Sequence, residues 1–313
     1  MDAAREQVEQ GHALTWGAEG LWQALVPLLP GLSVEVVRNA ASTNSALLER
    51  ARVLPEDRRD GADVVVRRSV ESGAFGRRAA DLQPCLLVAE HQSAGRGRLG
   101  RAWKSVPGAS LTFSLGLPLG LADWSGLSLA VGVVLCDALD PPAGRVDASA
   151  GPRIGLKWPN DLWLVNADGA GRKLGGILIE TVAAGAQRLA VIGIGLNVLP
   201  FATVDLNTGF ATLREVDVTA TAPSVLARVA LPLVQALKRF ERGGFDAFAQ
   251  GFAARDLLRG RALRTTRADV PQGIGRGVSP HGELLVETPT GIVAITSGEV
   301  SVRPDGPMAA PAP

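Results

Sequence analysis

The chain has 313 residues, 32 Lys+Arg against 31 Asp+Glu, and a formal net charge of +1. A balance this even removes the bulk electrostatic footprint of a nucleic-acid binder or a membrane-surface protein. With 46% hydrophobic residues, no secretory signal at the start and no apolar run of roughly 18 residues, one large domain plus a small one in the cytoplasm is expected.

Two cysteines, Cys85 and Cys136, form no CxxC pair, and each sits in an apolar run, which predicts buried reduced thiols. Only four of the positive residues are lysines: Lys104, Lys157, Lys173 and Lys238. A lysine kept against such an arginine bias suits a position needing a compact ammonium, although four residues also allow chance.

Residues 1–32 form an N-terminal extension with a helix over 21–29 and little else. A strand is expected over 34–38, and Ser42 or Thr43 caps the helix that follows. From Pro55 to Gln83 the chain is polar and patternless and reads as a long surface insertion or mobile loop. Strands follow over 85–90 and 110–116, with a glycine-arginine loop between them. Then come an apolar helix over 127–139, a loop over 140–153, and strands over 154–158, 162–165, 174–181 and 189–198. Helical spacing marks 222–240, and 245–258 reads as a second helix. After Gly260, short strands alternate with glycine turns, the pattern of a small all-β module over 261–303. The tail 304–313 is Pro/Ala-rich and is expected to be disordered. Residues 33–260 are the main domain. Its short inter-strand turns call for α+β architecture with a mixed, mostly antiparallel sheet flanked by helices.

The densest chemistry is the loop Gly95-Arg96-Gly97-Arg98-Leu99-Gly100-Arg101. It contains a literal GxGxxG, but a dinucleotide-binding turn must open a helix whose N-terminus receives the pyrophosphate, and Ala-Trp-Lys-Ser-Val-Pro-Gly follows instead. Glycines let a backbone approach a ligand, and arginines offer paired donors to carboxylates and phosphates, so a loop that closes over an anion fits the pattern. A solvated basic turn fits it equally well.

Two further segments combine charge with apolar strand. In Lys157-Trp158-Pro159-Asn160-Asp161, either a plain Asx turn or a ligand-facing strand end is consistent with the residues. In Lys173-Leu174-Gly175-Gly176-Ile177-Leu178, a lysine enters an apolar strand beside two glycines that leave room for a flat ligand; a strand-edge charge is the plainer alternative. Ile192–Val198 alternates glycine with apolar residues, again as though ligand or backbone presses on it.

Taken in order, Ser42-Thr43-Asn44, Gln92 with the glycine-arginine loop and Trp103, KWPND, KLGGIL and Gly195-Leu196-Asn197 resemble the biotin protein ligase family over about residues 33 to 303. The resemblance implies a class II synthetase-like catalytic domain with a small C-terminal SH3-like β-barrel. It implies that Ser42, Thr43, Asn44 and Gln92 hold biotin's ring end. Gly95, Arg96, Gly97 and Arg98 would close over biotin and its adenylate, and Lys173 with Gly175 and Gly176 would meet the carboxylate. It places Arg98, Arg101, Trp103, Lys157, Asn160, Asp161 and Asn197 on the nucleotide side, with Lys173, Arg98 and Asp161 as the catalytic groups. ATP and biotin are then substrates, and Mg²⁺ accompanies ATP; His12, His91 and His281 are too scattered for a resident metal. The implied partner is the lysine of a biotin carboxyl carrier protein.

Leu99 departs from the family's loop, which often carries another arginine there, and implies altered loop mobility or adenylate retention. About 32 residues precede the first strand, too few for the winged helix of family members that repress transcription, so no DNA binding is expected. A lipoate or octanoate ligase or transferase of the same superfamily, or a non-catalytic biotin-responsive regulator, are the alternatives. The sequence leaves the oligomeric state open, a weak homodimer included.

Overall fold

The computed structural model describes residues 14–52, 74–75, 82–121, 123–141, 152–184, 187–202, 209–297 and 301–304. Most of the Pro55–Gln83 insertion, most of the 140–153 loop and nearly all of the tail lie outside these residues. The helices are α1 (Ala18–Leu25), α2 (Thr43–Arg52), α3 (Leu127–Leu139), α4 (Ala222–Gly243) and α5 (Ala249–Ala253). The strands of the main sheet are β1 (Ser33–Ala40), β2 (Ala74–Phe75), β3 (Cys85–Gln92), β4 (Ser110–Pro118), β5 (Arg153–Lys157), β6 (Asp161–Val165), β7 (Gly171–Ala184) and β8 (Gln187–Asn197). They run in the order β2-β1-β3-β4-β8-β7-β6-β5. β1 and β3 are parallel, and the other neighbours pair antiparallel. The mixed, mostly antiparallel sheet expected from the short turns is what forms.

Strand alternation explains how this sheet serves both core and site. On β3, Leu86 and Val88 join the main core, whereas Cys85 and Leu87 join a second cluster under α2 with Leu47, Leu48 and Ala51. Both faces are buried, which is why the segment reads as a continuous apolar run rather than an alternating one. On β8, Ala190, Ile192, Ile194 and Leu196 point to the main core, while Leu189 and Val191 lie under α2. Gly193 and Gly195 continue that second face past the end of α2, where it becomes the floor of a cavity. Cys85 and Cys136 are both buried and form no disulfide with each other, as expected.

Two segments differ from expectation. The N-terminal helix is Ala18–Leu25 rather than 21–29, and the residues around it pack into the main core. Trp16, Leu21, Leu25 and Leu29 are part of the main core, and Trp16 Nε1 donates to Glu90 Oε1 at 2.9 Å. The helix expected over 245–258 shortens to a 3-10 turn at Asp246–Phe248 and the five-residue α5. The chain then leaves the helix to line the edge of β5: Leu156 N donates to Arg255 O, and Leu257 N to Leu156 O. Arg255 secures this turn with bonds to Asp137 Oδ1 and to the carbonyls of Ile154 and Asp140. These long-range partners outweigh local helical spacing.

The C-terminal strands β9 (Ala262–Thr265), β10 (Gln272–Val278), β11 (Leu284–Thr288), β12 (Gly291–Ile295) and β13 (Val302–Pro304) form a five-stranded antiparallel sheet in the order β12-β11-β10-β9-β13. Leu263, Leu284, Val286, Ile295 and Val302 from it are continuous with the main core. Trp158, 1% exposed, donates Nε1 to Gly282 O at 3.0 Å across the junction. Among the described residues, no helix is long and apolar enough to cross a membrane.

Candidate active site

A cavity of about 860 Å³ lies over the second face of the main sheet, between the glycine-arginine loop and β13. Its volume falls in the range that encloses a small-molecule ligand.

One end is polar and built on α2. Ser42 Oγ accepts from Ser45 N at 3.4 Å, the capping contact expected at this helix start. Gln92 Oε1 accepts from Thr43 N at 2.8 Å and Thr43 Oγ1 at 3.3 Å. Asn44 Nδ2 donates to Leu178 O at 3.1 Å and Glu180 Oε2 at 2.9 Å. Ser114 Oγ lies 2.6 Å from both Thr43 Oγ1 and Asn44 Oδ1. All four expected residues line the cavity, and all are buried. Asn44, however, has both amide hydrogens committed to protein, so only the remaining lone pair on its oxygen can meet a ligand.

The other end carries charge. Lys173 Nζ donates to Asp161 Oδ1 at 2.7 Å, with the two side chains 28% and 16% exposed. Asn160 Nδ2 donates to Ile177 O at 2.7 Å, and Ile177 N returns a bond to Asn160 O, so the turn before β6 is clamped to β7. Asn197 Nδ2 donates to Lys173 O at 3.3 Å and Ala211 O at 3.2 Å, fixing the backbone from which Lys173 projects. Lys157 Nζ stands 5.6 Å from the centroid of the Trp163 ring. Burial pulls the Lys157 ammonium down to about 8; Asp161 opposes this, while Lys173, Arg101 and Arg303 add to it.

The glycine-arginine loop closes on itself through Trp103 N to Gly95 O at 2.8 Å and Gly97 N to Arg101 O at 2.7 Å. Only one 3-10 turn, Arg98–Gly100, forms within it, so no helix N-terminus is available for a dinucleotide pyrophosphate. Leu99 sits at φ 56°, ψ 34°, and is 49% exposed. A left-handed leucine costs roughly 1 kcal/mol, strain located in the loop itself. The arginines reach different parts of the structure. Arg96 donates to Glu180 Oε1 at 2.8 Å and Ser45 Oγ at 3.1 Å. Arg98 donates to Asn160 Oδ1 at 3.4 Å and to Ser297 O, and Arg101 to Ser301 Oγ at 3.0 Å. Burial lowers the Arg98 guanidinium from its usual value, Asp161 opposes the shift, and Arg101 reinforces it.

Two glycines expected at the ligand do not line the cavity. A side chain on Gly175 would meet Leu196 Cδ2 at 2.5 Å and Gly195 O at 2.7 Å, and one on Gly95 would meet Trp103 O at 2.4 Å. Both are bare because protein backbone crowds them. Gly176 and Gly97 do line it. The β8 glycines are also filled by protein: Gly193 by Asn44 Oδ1 (2.2 Å to an added Cβ) and Gly195 by the Trp103 indole (2.5 Å). The Trp103 and Trp163 indole N–H groups are buried and have no hydrogen-bond partner among the described residues. Among those residues no group of three His, Cys, Asp or Glu could hold a metal ion.

Ser114, Glu180 and Trp163 were not singled out from the sequence. Ser110, Thr112, Ser114 and Gly116 alternate with Leu111, Phe113 and Leu115 on β4, a period-two signal of a small polar face. Glu180 is the acid that ends the apolar Leu174–Ile179 run.

Residues 80–197 match the family model described as the biotin/lipoate A/B protein ligase family, and residues 262–303 match the biotin protein ligase C-terminal domain. The chain is 30% identical over 275 residues to the biotin–[acetyl-CoA-carboxylase] ligase of Mycobacterium tuberculosis, covering 85% of this chain and 88% of the relative. It is 35% identical over 222 residues to the bifunctional ligase/repressor BirA of Salmonella typhimurium, 69% of this chain and 66% of that protein. Its fold superimposes with a TM-score of 0.63 on the biotin protein ligase of Aquifex aeolicus in complex with biotin and ATP, at 24% identity, covering 87% and 99% of the two chains. The chain belongs to the biotin protein ligase family. It spans about two thirds of the length of the bifunctional ligase/repressor relatives that it matches.

Proposed function

We propose that this protein is an ATP-dependent biotin protein ligase, with residues 33–260 as the catalytic unit and 261–303 as a small β module. The observation that carries the reading is one continuous cavity with a buried polar end at Ser42, Thr43, Asn44 and Gln92 and a cationic end at Lys157, Lys173 and the loop arginines.

Biotin's ureido ring fits the polar end, where the Ser42 hydroxyl and the spare acceptor of Asn44 face it, and its valeryl chain runs toward Lys173. A carboxylate oxygen attacks the α-phosphorus of ATP, pyrophosphate leaves, and a mixed anhydride with AMP remains. Lys173 is held by Asp161 and moves to the carboxylate and α-phosphate as negative charge builds there, a large electrostatic gain in a site from which water is excluded. Lys157 and Arg101 face the polyphosphate, and the Trp103 indole offers a flat wall to the base. Mg²⁺ would arrive on the ATP phosphates, where Asp161 on the cavity wall would help hold it, and it would supply charge neutralisation. The closed loop keeps water from the anhydride. A carrier lysine then attacks the acyl carbon, its amine losing a proton as AMP departs. No covalent enzyme intermediate is required.

The test is biotin-dependent exchange of labelled pyrophosphate into ATP, followed by mass spectrometry of a biotin carboxyl carrier domain incubated with enzyme, ATP and biotin. Exchange and a biotin mass increment on the carrier are expected. A thermal shift with lipoate larger than with biotin would redirect the reading to a lipoate ligase.

A further inference from the structure

Glu180 lies on β7 two residues beyond Leu178 and four beyond Gly176, so all three share the face that floors the cavity. Its carboxylate is divided between two partners. Oε2 accepts from Asn44 Nδ2 at 2.9 Å, and Oε1 accepts from Arg96 Nη2 at 2.8 Å. Arg96 also donates to Ser45 Oγ at 3.1 Å, one residue beyond Asn44. Asn44 is 3% exposed and its amide is otherwise held by Leu178 O and Ser114 Oγ, so Glu180 completes its set of partners. The Arg96 side chain is 46% exposed, and an isolated ion pair that exposed is worth little in water. Its leverage comes from ending on an acid that is also bonded to a buried amide.

We infer that Glu180 is a positioning residue that couples the polar end of the cavity to the glycine-arginine loop: one oxygen orients the Asn44 amide while the other docks Arg96. The inference rests on the ligase reading above for its kinetic consequences, but not for the contact itself. A ligand that settles the Asn44 amide settles Glu180 and with it the anchor of the loop. Conversely, an undocked Arg96 leaves the acyl-adenylate exposed at the loop while the ring pocket stays formed. Glutamine at 180 separates the two duties, because its carbonyl still accepts from Asn44 whereas its neutral amide gives Arg96 no charge partner. Alanine removes both.

The experiment compares wild type, Glu180→Gln, Glu180→Ala, Arg96→Ala and the Arg96→Ala/Glu180→Gln double variant, all as full-length chain. With Glu180→Gln, KM for biotin should stay within about threefold of wild type while escape of pre-formed biotinyl-adenylate rises about tenfold, the loss of one charge-assisted hydrogen bond. Arg96→Ala should raise escape at least as much, because it also loses the bond to Ser45 Oγ, and the double variant should be no worse than Arg96→Ala, since both substitutions remove the same ion pair. Glu180→Ala should in addition raise KM for biotin about tenfold, the cost of an unsatisfied buried amide. In ligand-free protein, trypsin should cut after Arg98 and Arg101 faster in Glu180→Gln than in wild type. Unchanged adenylate escape and unchanged trypsin cleavage in Glu180→Gln would overturn the coupling, as would additive effects of the two substitutions. A wild-type protein without biotin-dependent exchange would overturn the ligase reading instead, and the trypsin comparison would still decide the coupling.

Discussion

Lys173 Nζ and Asp161 Oδ1 stand 2.7 Å apart across the β6–β7 pair. The pair holds an ammonium ready at the middle of the cavity while Asn197 and Ala211 fix the backbone beneath it. Lys173→Ala should therefore leave most biotin affinity intact and lower pyrophosphate exchange by about 10²-fold or more, the loss of a charge aimed at the transition state. Calorimetry with biotin and isotope exchange read the two effects separately. Exchange rates equal to wild type would remove Lys173 from the chemistry.

Lys157 gives the enzyme a pH dependence of defined sign. Its ammonium is depressed to about 8, so the positive charge facing the polyphosphate is present below that pH and lost above it. The kcat/KM for ATP, which reports the free enzyme, should fall as pH rises through about 8. Lys157→Arg should move that limb upward because guanidinium stays charged, and Lys157→Met should abolish it at a lower plateau. A wild-type profile flat to pH 9.5 contradicts this role.

Gly193 and Gly195 lie two residues apart on β8, yet they serve opposite ends of the cavity. An added Cβ at Gly193 meets Asn44 Oδ1 at 2.2 Å, and at Gly195 it meets the Trp103 ring at 2.5 Å. Gly193→Ala should weaken biotin with ATP affinity retained, and Gly195→Ala should weaken ATP with biotin retained, each by about tenfold or more, as a displaced contact of 1–3 kcal/mol implies. Titrating each ligand against both variants shows whether the effects separate; parallel losses would mean that the two ends are not distinct.

Asp256 sets a stability window away from the site. Burial raises its carboxyl to about 6, against which bonds from Leu258 and Arg259 N–H work. Because the folded value lies above the unfolded one, the folded protein holds the proton more tightly. Its stabilising contribution is full below the unfolded value and is lost as pH climbs through about 6, on the order of 2–3 kcal/mol in total. Asp256→Asn keeps an acceptor for Leu258 N–H and should be more stable than wild type at pH 7 but not at pH 4. Urea midpoints at the two values check the difference.

The sequence carried the site's vocabulary further than its wiring. The helix at 127–139 and the main strands were legible because apolar runs bounded by Gly, Asn and Asp report burial directly, and buried strands of this kind need no distant information. Fifteen of the seventeen residues expected at the ligand line the cavity; Gly95 and Gly175 do not. Those two look like ligand glycines because absence of a side chain records only that something is close. Whether that something is a ligand or a neighbouring strand depends on sheet register. The helix expected over 245–258 fails for a related reason: Arg255 and Asp256 answer to partners on α3 and β5 that local periodicity does not contain.

By itself the sequence determined which residues are small, charged or apolar and in what order, and therefore the strand faces, the loop chemistry and the family. Only the tertiary structure decided that Ser114 and Glu180 complete the polar end, that Trp103 fills Gly195, and that Ser297 and Ser301 meet the loop arginines. Hydrogen bonds and close contacts between residues some 70 to 200 positions apart fix those relationships, and no local pattern encodes which partners the folded chain brings within 3 Å.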